Sequence, residues 1–158
     1  MNDFIDGRAI VRLDLAGTAL FTVSSVLAAV VFDGWLKVQG VVVSLGLFAI
    51  GVVVFLIGYW SAVQRSRRDE LSVAEMYFLL GPSIPKRVKN VLNWCLVVQT
   101  VVALTTALVR PSTPAETGGS TAGSTLAFGV LVPVLGLGLN GLWAANHGRF
   151  PPRRTSVG

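Results

Sequence analysis

The sequence predicts an all-α fold: a four-transmembrane-helix bundle made of two hairpins. A short amphipathic helix is expected at the cytoplasmic interface between the second and third spans. Three observations predict this class. Hydrophobic residues make up 53% of the 158 and charged residues only 13%, against about 25% charged in an ordinary soluble domain; the mean hydropathy is +0.68. The charges bracket four apolar runs, each able to supply the roughly 20 helical residues that cross a hydrocarbon core. Those runs are continuous rather than alternating, which disfavours a β-barrel.

The elements follow in order. Arg8 and Arg12 precede an apolar run, as in a secretory signal, but Asp3, Asp6 and Asp14 dilute the charge. No clean small-x-small cleavage site follows, so an uncleaved first helix is expected. The first run, 15–32, has 18 uncharged residues. The sequence DGWLK at 33–37 reads as a tight turn. The second run, 38–64, has 27 uncharged residues, and the third, 90–109, has 20. Between them and the fourth lies PSTPAETGGSTAGST, 111–125, a flexible exposed loop by composition. The fourth apolar stretch runs from Leu126 to Ala145. The tail PPRRTSVG is not expected to pack by itself. The spans are placed at about 14–35, 38–63, 90–109 and 125–146 of a single integral membrane domain.

The connector SVAEMYFLLGPSIP, 72–85, is too short to cross. Ser72 and Glu75 have the spacing of a capping box. Val73, Met76, Tyr77 and Leu80 fall on one face of a helix, and Gly81 with Pro82 can end it. A two-turn interfacial helix is therefore expected over about 72–81. Its apolar face would meet acyl chains, a partner or the bundle, and Arg65, Arg67, Arg68, Lys86, Arg87 and Lys89 would meet anionic lipid headgroups.

Orientation follows from the basic residues. The net charge is +5, and all but two of the thirteen Lys and Arg lie before the first span, in the 65–89 connector or in the tail. Lys37 and Arg110 are the two on the other side. Both termini should be cytoplasmic. Trp60, Trp94 and Trp143 near the inner span ends and Trp35 near an outer one suit interface depths.

Helix packing and polar side chains are the remaining signals. Ser44, Gly51 and Gly58 recur every seven residues in the second span, and Gly129, Pro133, Gly136, Asn140 and Ala144 share a face in the fourth. Both stripes let backbones approach, within this chain or against another protein. Asn93, Gln99 and Asn140 are expected to hydrogen-bond between helices or, failing that, to line a polar path. Asp14, at the mouth of the first span, is expected to pair with Arg65 or Arg149. No ionisable residue is placed in the middle of a span by the sequence, so proton-coupled antiport lacks its usual vehicle. The single Cys95 allows no internal disulfide and no cysteine-based metal cluster; it reads as a small buried hydrophobe. His147 is the only histidine. No cofactor, no catalytic group and no nucleic-acid partner is expected.

The strings GRAIVRLDLAGTALFT (7–22), AVQRSRRDELSVAEMY (62–77) and LAFGVLVPVLGLGLNGLWAANHGRF (126–150) resemble those of small four-span membrane proteins of actinobacteria. That group includes an accessory subunit of the mycobacterial mammalian-cell-entry (Mce) lipid importers. The resemblance implies a non-enzymatic subunit that binds a lipid permease or another integral membrane partner; it carries over no site residues. The alternatives are a small homo-oligomeric transporter or channel and, lower in rank, an integral-membrane lipid enzyme.

Overall fold

A computed structural model describes residues 7–31, 34–70, 72–80, 84–114, 120–122 and 124–152. Four long helices dominate it, each long and apolar enough to cross a bilayer. They are α1 (Gly7–Val31), α2 (Gly34–Arg65), α4 (Lys86–Val109), and a 3-10 stretch Thr125–Leu131 that continues into α5 (Pro133–His147). A short helix, α3 (Val73–Tyr77), lies in the connector. This is the architecture of a multi-pass membrane protein.

Two helix boundaries differ from the sequence expectation. The first helix begins at Gly7, seven residues before Asp14. Gly34 to Lys37 form the first turn of α2 rather than a separate turn. Apolar residues such as Trp35 and Leu36 extend a helix as readily as they end one, so charge spacing alone does not place this junction. In the 111–125 loop, β1 (Ser112–Pro114) and β2 (Ser120–Ala122) pair antiparallel, with Thr113 opposite Thr121.

α5 is the central element. Every residue from Gly138 to Ala145 is buried, and α5 touches α1, α2, α3 and α4. Its closest neighbour is α2. A Cβ on Gly51 would lie 2.6 Å from Leu135 N, and one on Gly58 would lie 2.9 Å from Leu142 N. From the other side, a Cβ on Gly138 would lie 2.7 Å from Gly51 O. Backbone meets backbone here, which only glycine permits. The stripe in α2, buried Ser44 included, is thus consumed inside the chain. The fourth-span stripe is divided: Gly129 faces Phe21, Gly136 faces Gln99, and Asn140 turns to the connector.

The 3-10 stretch starts where Ser124 Oγ accepts from Leu126 N at 3.1 Å. It hands over to α5 at Pro133, whose missing N–H is no loss at a helix start.

Contacts at the two ends fix the up-and-down order. At one end Arg110 Nε donates to Ala29 O at 3.1 Å. At the other, Gly7 approaches Trp143 and His147, and Arg65 reaches the end of α5. This second end, called the basic end below, gathers the N-terminal half-turns of α1 and α4 with the C-terminal ends of α2 and α5. It carries Arg8, Arg12, Arg65, Arg67, Arg68, Lys86, Arg87, Lys89 and Arg149. Arg153 and Arg154 lie outside the described residues.

Trp35, Trp60 and Trp94 are exposed, as expected of interface anchors, whereas Trp143 is buried and stacks on His147 with centroids 5.5 Å apart. The first residues of the tail lean on the connector: Glu70 N donates to Pro151 O at 2.9 Å, and Asp69 bridges to Pro152.

Candidate functional site

Two groups of residues stand apart from simple apolar packing. The first is the connector at the basic end. α3 is shorter than the two turns expected, covering five residues. Ser72 occupies its N-cap position without a side-chain cap bond, so the capping box is not formed. The chain leaves helical geometry by Leu79, whose φ of 52° is left-handed. The expected stop at Gly81 and Pro82 lies outside the described residues.

The face predicted for this helix is split. Met76 and Tyr77 are buried, and so is Leu79, which the periodicity did not single out; Val73 and Leu80 are 61% and 49% exposed. The cause is the depth to which Tyr77 is drawn. Its ring stacks on Phe55 with centroids 4.3 Å apart, and its hydroxyl donates to Phe55 O at 3.1 Å. Phe55 lies ten residues before Arg65, about 15 Å along the helix at 1.5 Å per residue. Gly141 makes room, since a Cβ there would collide with the Tyr77 ring.

α3 therefore ends inside the bundle, where its last carbonyls need donors. Asn140 Nδ2 supplies one, to Tyr77 O at 3.1 Å, and lies 3.4 Å from Asn93 Oδ1. Asn93 Nδ2 reaches Phe78 O at 3.5 Å. Asn140 is thus a latch for the connector. The interhelical bond is of the kind expected for this amide, but its acceptor lies 63 positions away and could not be named from the sequence. Burial pushes the Tyr77 phenol up to about 12, with Tyr59 adding to it, so the hydroxyl remains a donor at any physiological pH.

What stays outward forms a platform. Val73, Phe78 and Leu80 are exposed apolar residues beside exposed Arg67, Arg68, Lys86 and Arg87; Lys89 is half-buried. A shallow groove runs between α3 and the end of α2, lined by Tyr59, Ala62, Val63, Val73 and Met76.

Arg65 is not part of that open surface. Its Nη1 donates to Ala145 O at 2.9 Å, its Nη2 to Gly148 O at 2.7 Å, and its Nε pairs with Asp69 at 2.7 Å. The guanidinium also sits 5.4 Å from the Phe150 ring. One side chain thus ties α2, the connector and the end of α5 together. Arg65→Ala is expected to lower stability by about 2 kcal/mol, since bonds to a charged donor count for more than neutral ones. Arg65→Lys should recover less than half of that loss, because an ammonium cannot reproduce the fork. Thermal unfolding of the purified chain checks both.

The second group is buried between α1 and α4. Asp14 and Gln99 are each 0% exposed. Gln99 Nε2 donates to Asp14 Oδ1 at 3.1 Å and to Thr18 Oγ1 at 2.7 Å. The Cys95 thiol adjoins Asp14 and Thr18. Cys95 is the buried, unpaired residue expected. Asp14, however, pairs with an amide and not with Arg65 or Arg149, and it does not sit at the mouth of a span. Gln99 lies ten residues past Lys89 and eleven before Arg110, midway along α4. Counted along its own helix Asp14 looks terminal; measured against α4 it is central.

Among the described residues, no group of three or more potential metal-ligating side chains is found. Comparison with protein-family models, with curated proteins and with solved structures finds no match for this chain. The fold and these two groups define a compactly latched multi-pass membrane protein, and its function is argued from them alone.

Proposed function

We propose that the chain is a non-catalytic accessory or regulatory subunit of a larger complex in the bacterial inner membrane, most specifically one that imports lipids. Both termini and the connector face the cytoplasm, and the platform at the basic end is the docking surface for an integral membrane partner and for anionic lipid headgroups.

The observation that carries this reading is the division of labour within the connector. Met76, Tyr77 and Leu79 hold it to the bundle, and Val73, Phe78 and Leu80 are left outward beside four exposed cations. An apolar strip with a basic rim, fixed on a rigid base, suits the interface between a neighbouring subunit and the lipid headgroups. The inward orientation follows from the gathering of basic residues at one end.

Pull-down from native membranes in mild detergent should return stoichiometric integral membrane partners. Arg67→Glu with Arg68→Glu should lower their recovery at least about tenfold while leaving the chain folded, since each juxtamembrane cation contributes about 1 kcal/mol. Recovery of the 16.7 kDa chain alone counts against the proposal. A cysteine introduced in the 111–125 loop should react with an impermeant reagent from outside the cell, and protection there would reverse the orientation.

The buried Asp14 group favours a second reading, a small homo-oligomeric transporter. It predicts a homo-oligomer in mild detergent with no other protein, and solute flux in vesicles containing the purified chain alone.

A further inference from the structure

The Asp14–Thr18–Gln99 cluster leaves two buried acceptor oxygens without donors. Gln99 Nε2 serves two oxygens, Asp14 Oδ1 and Thr18 Oγ1. Asp14 Oδ2 and Gln99 Oε1 are buried with no hydrogen-bond partner. Oε1 belongs to the same amide group whose nitrogen is fixed on Asp14. On its far side lies Gly136, where a Cβ would stand 2.8 Å from Oε1; the glycine leaves that oxygen room. One turn beyond Thr18, Thr22 Oγ1 is also buried without a partner. Orphaned oxygens thus line one interhelical seam.

The charge is equally one-sided. Among the described residues Asp14 has no Arg, Lys or His within ion-pair distance. The neighbours on each packed element are these. From α4 come Gln99 and Cys95, the thiol being the titratable one. From α5 and α2 come Gly136, Leu135 and Leu47, the last two against Gly17. On α1 itself Arg8 and Arg12 are exposed, away from the cluster. A lone carboxylate in a bundle core is costly unless something positive neutralises it, and unfilled acceptor oxygens are costly on their own account.

We propose that Asp14, Thr18 and Gln99 form a binding site for one small monovalent cation, a proton or Na+, held at the middle of the bundle. The chemistry selects the class. An anion is repelled by the carboxylate. A divalent ion would leave one positive charge uncompensated in the core. A single positive charge balances Asp14, and oxygen ligands from a carboxylate, an amide and a hydroxyl suit a hard cation. A proton on Oδ2 does the same by neutralising the group and turning an unfilled acceptor into a donor. This site is independent of the docking platform: it concerns the α1–α4 seam, and its failure would leave the accessory-subunit reading untouched.

The test is thermal unfolding of the full-length chain in detergent, titrated separately with pH at fixed ionic strength and with NaCl replacing choline chloride at fixed pH. The wild-type Tm should rise by about 3–5 °C for each tenfold increase in the bound ion over the range where the site fills. Asp14→Asn, which is neutral without a ligand, should lose that dependence. A response to Na+ at constant pH assigns the sodium ion; a response to acidification alone assigns the proton. If wild type and Asp14→Asn give the same profile in both titrations, the proposal is overturned. Should Asp14→Asn fail to fold, dicyclohexylcarbodiimide labelling of the wild-type chain decides. Asp14 should be modified, and the modification should fall at least severalfold with added Na+ or with rising pH. Labelling that is absent, or indifferent to both, overturns the proposal as well.

Discussion

Replacing Gly51 by alanine is expected to cost at least about 3 kcal/mol and to leave little folded protein, whereas Gly46→Ala in the same helix should be neutral or stabilising. The two residues lie five apart in α2, and their helical propensities are alike. What differs is the far side of the Cβ. At Gly51 the new carbon would stand 2.6 Å from Leu135 N and 2.7 Å from Leu135 Cα. These are backbone atoms at the start of the central helix, and they have no rotamer to change. The helices must move apart, and the contacts of Gly58 with Leu142 and of Gly138 with Gly51 O and Phe55 open with them. Overpacking a tight site typically costs about 1–3 kcal/mol, and a clash with backbone along a whole helix pair belongs at or above the top of that range. At Gly46 nothing lies within 4 Å of the added carbon. Alanine there gains the roughly 0.5–1 kcal/mol by which it exceeds glycine in a helix. Monodisperse yield and Tm in detergent check the pair. Equal losses in both variants would mean that α2 and α5 are not in backbone contact.

Tyr77→Ala is expected to detach the connector, at a cost of about 3–5 kcal/mol, the range for truncating a buried aromatic side chain. The ring fills the space between Phe55 and Gly141, and the surrounding helices are too firmly packed to close over it. Tyr77→Phe keeps the ring and loses one hydrogen bond to Phe55 O, about 1 kcal/mol. Limited proteolysis separates the two. The 71–85 segment should be cut much faster in Tyr77→Ala and nearly as slowly as wild type in Tyr77→Phe. Asn140→Leu should fall between them, since it leaves Tyr77 O without its donor. The phenol adds a pH signature. Its pKa is raised in the fold, from 10.0 to about 12, so the contribution is fully present below about pH 10 and is lost as pH rises through 12. Stability near neutral pH should not depend on Tyr77 ionisation.

The four spans were legible because each is bounded by charges that hydrocarbon does not solvate. The seven-residue spacing of Ser44, Gly51 and Gly58 correctly marked a close-packing face, but a stripe of small residues does not name its partner. Only the fold shows that α5 fills it. Asp14 was misplaced for a geometric reason. Depth was counted along α1, and α1 begins its helix a full two turns before the acid, so the sequence position looks shallow while the packed position is central. The Ser72–Glu75 pattern is a local signal that long-range packing overrode. Burial of Tyr77 against Phe55 and Gly141 sets where α3 sits, and the cap bond is forgone. Asn140 bonds between helices as its residue type suggested, but its particular acceptors, Tyr77 O and Asn93 Oδ1, are ones that only tertiary contact brings near. Arg65 was read as one of a row of headgroup-facing cations, and its three partners in the connector and the α5 end take it out of that row.

The centrality of α5 has a consequence for biogenesis. A ribosome makes the chain from its N-terminus, so α1, α2 and α4 are synthesised before the helix that they surround. Until then the glycine faces of α2 meet lipid, Tyr77 lacks Asn140 and Gly141, and Arg65 lacks the carbonyls of Ala145 and Gly148. The molecule therefore acquires its keystone last, and a chain that stops short of Thr125 would leave the glycine face of α2 open to whatever insertase, chaperone or protease patrols the membrane.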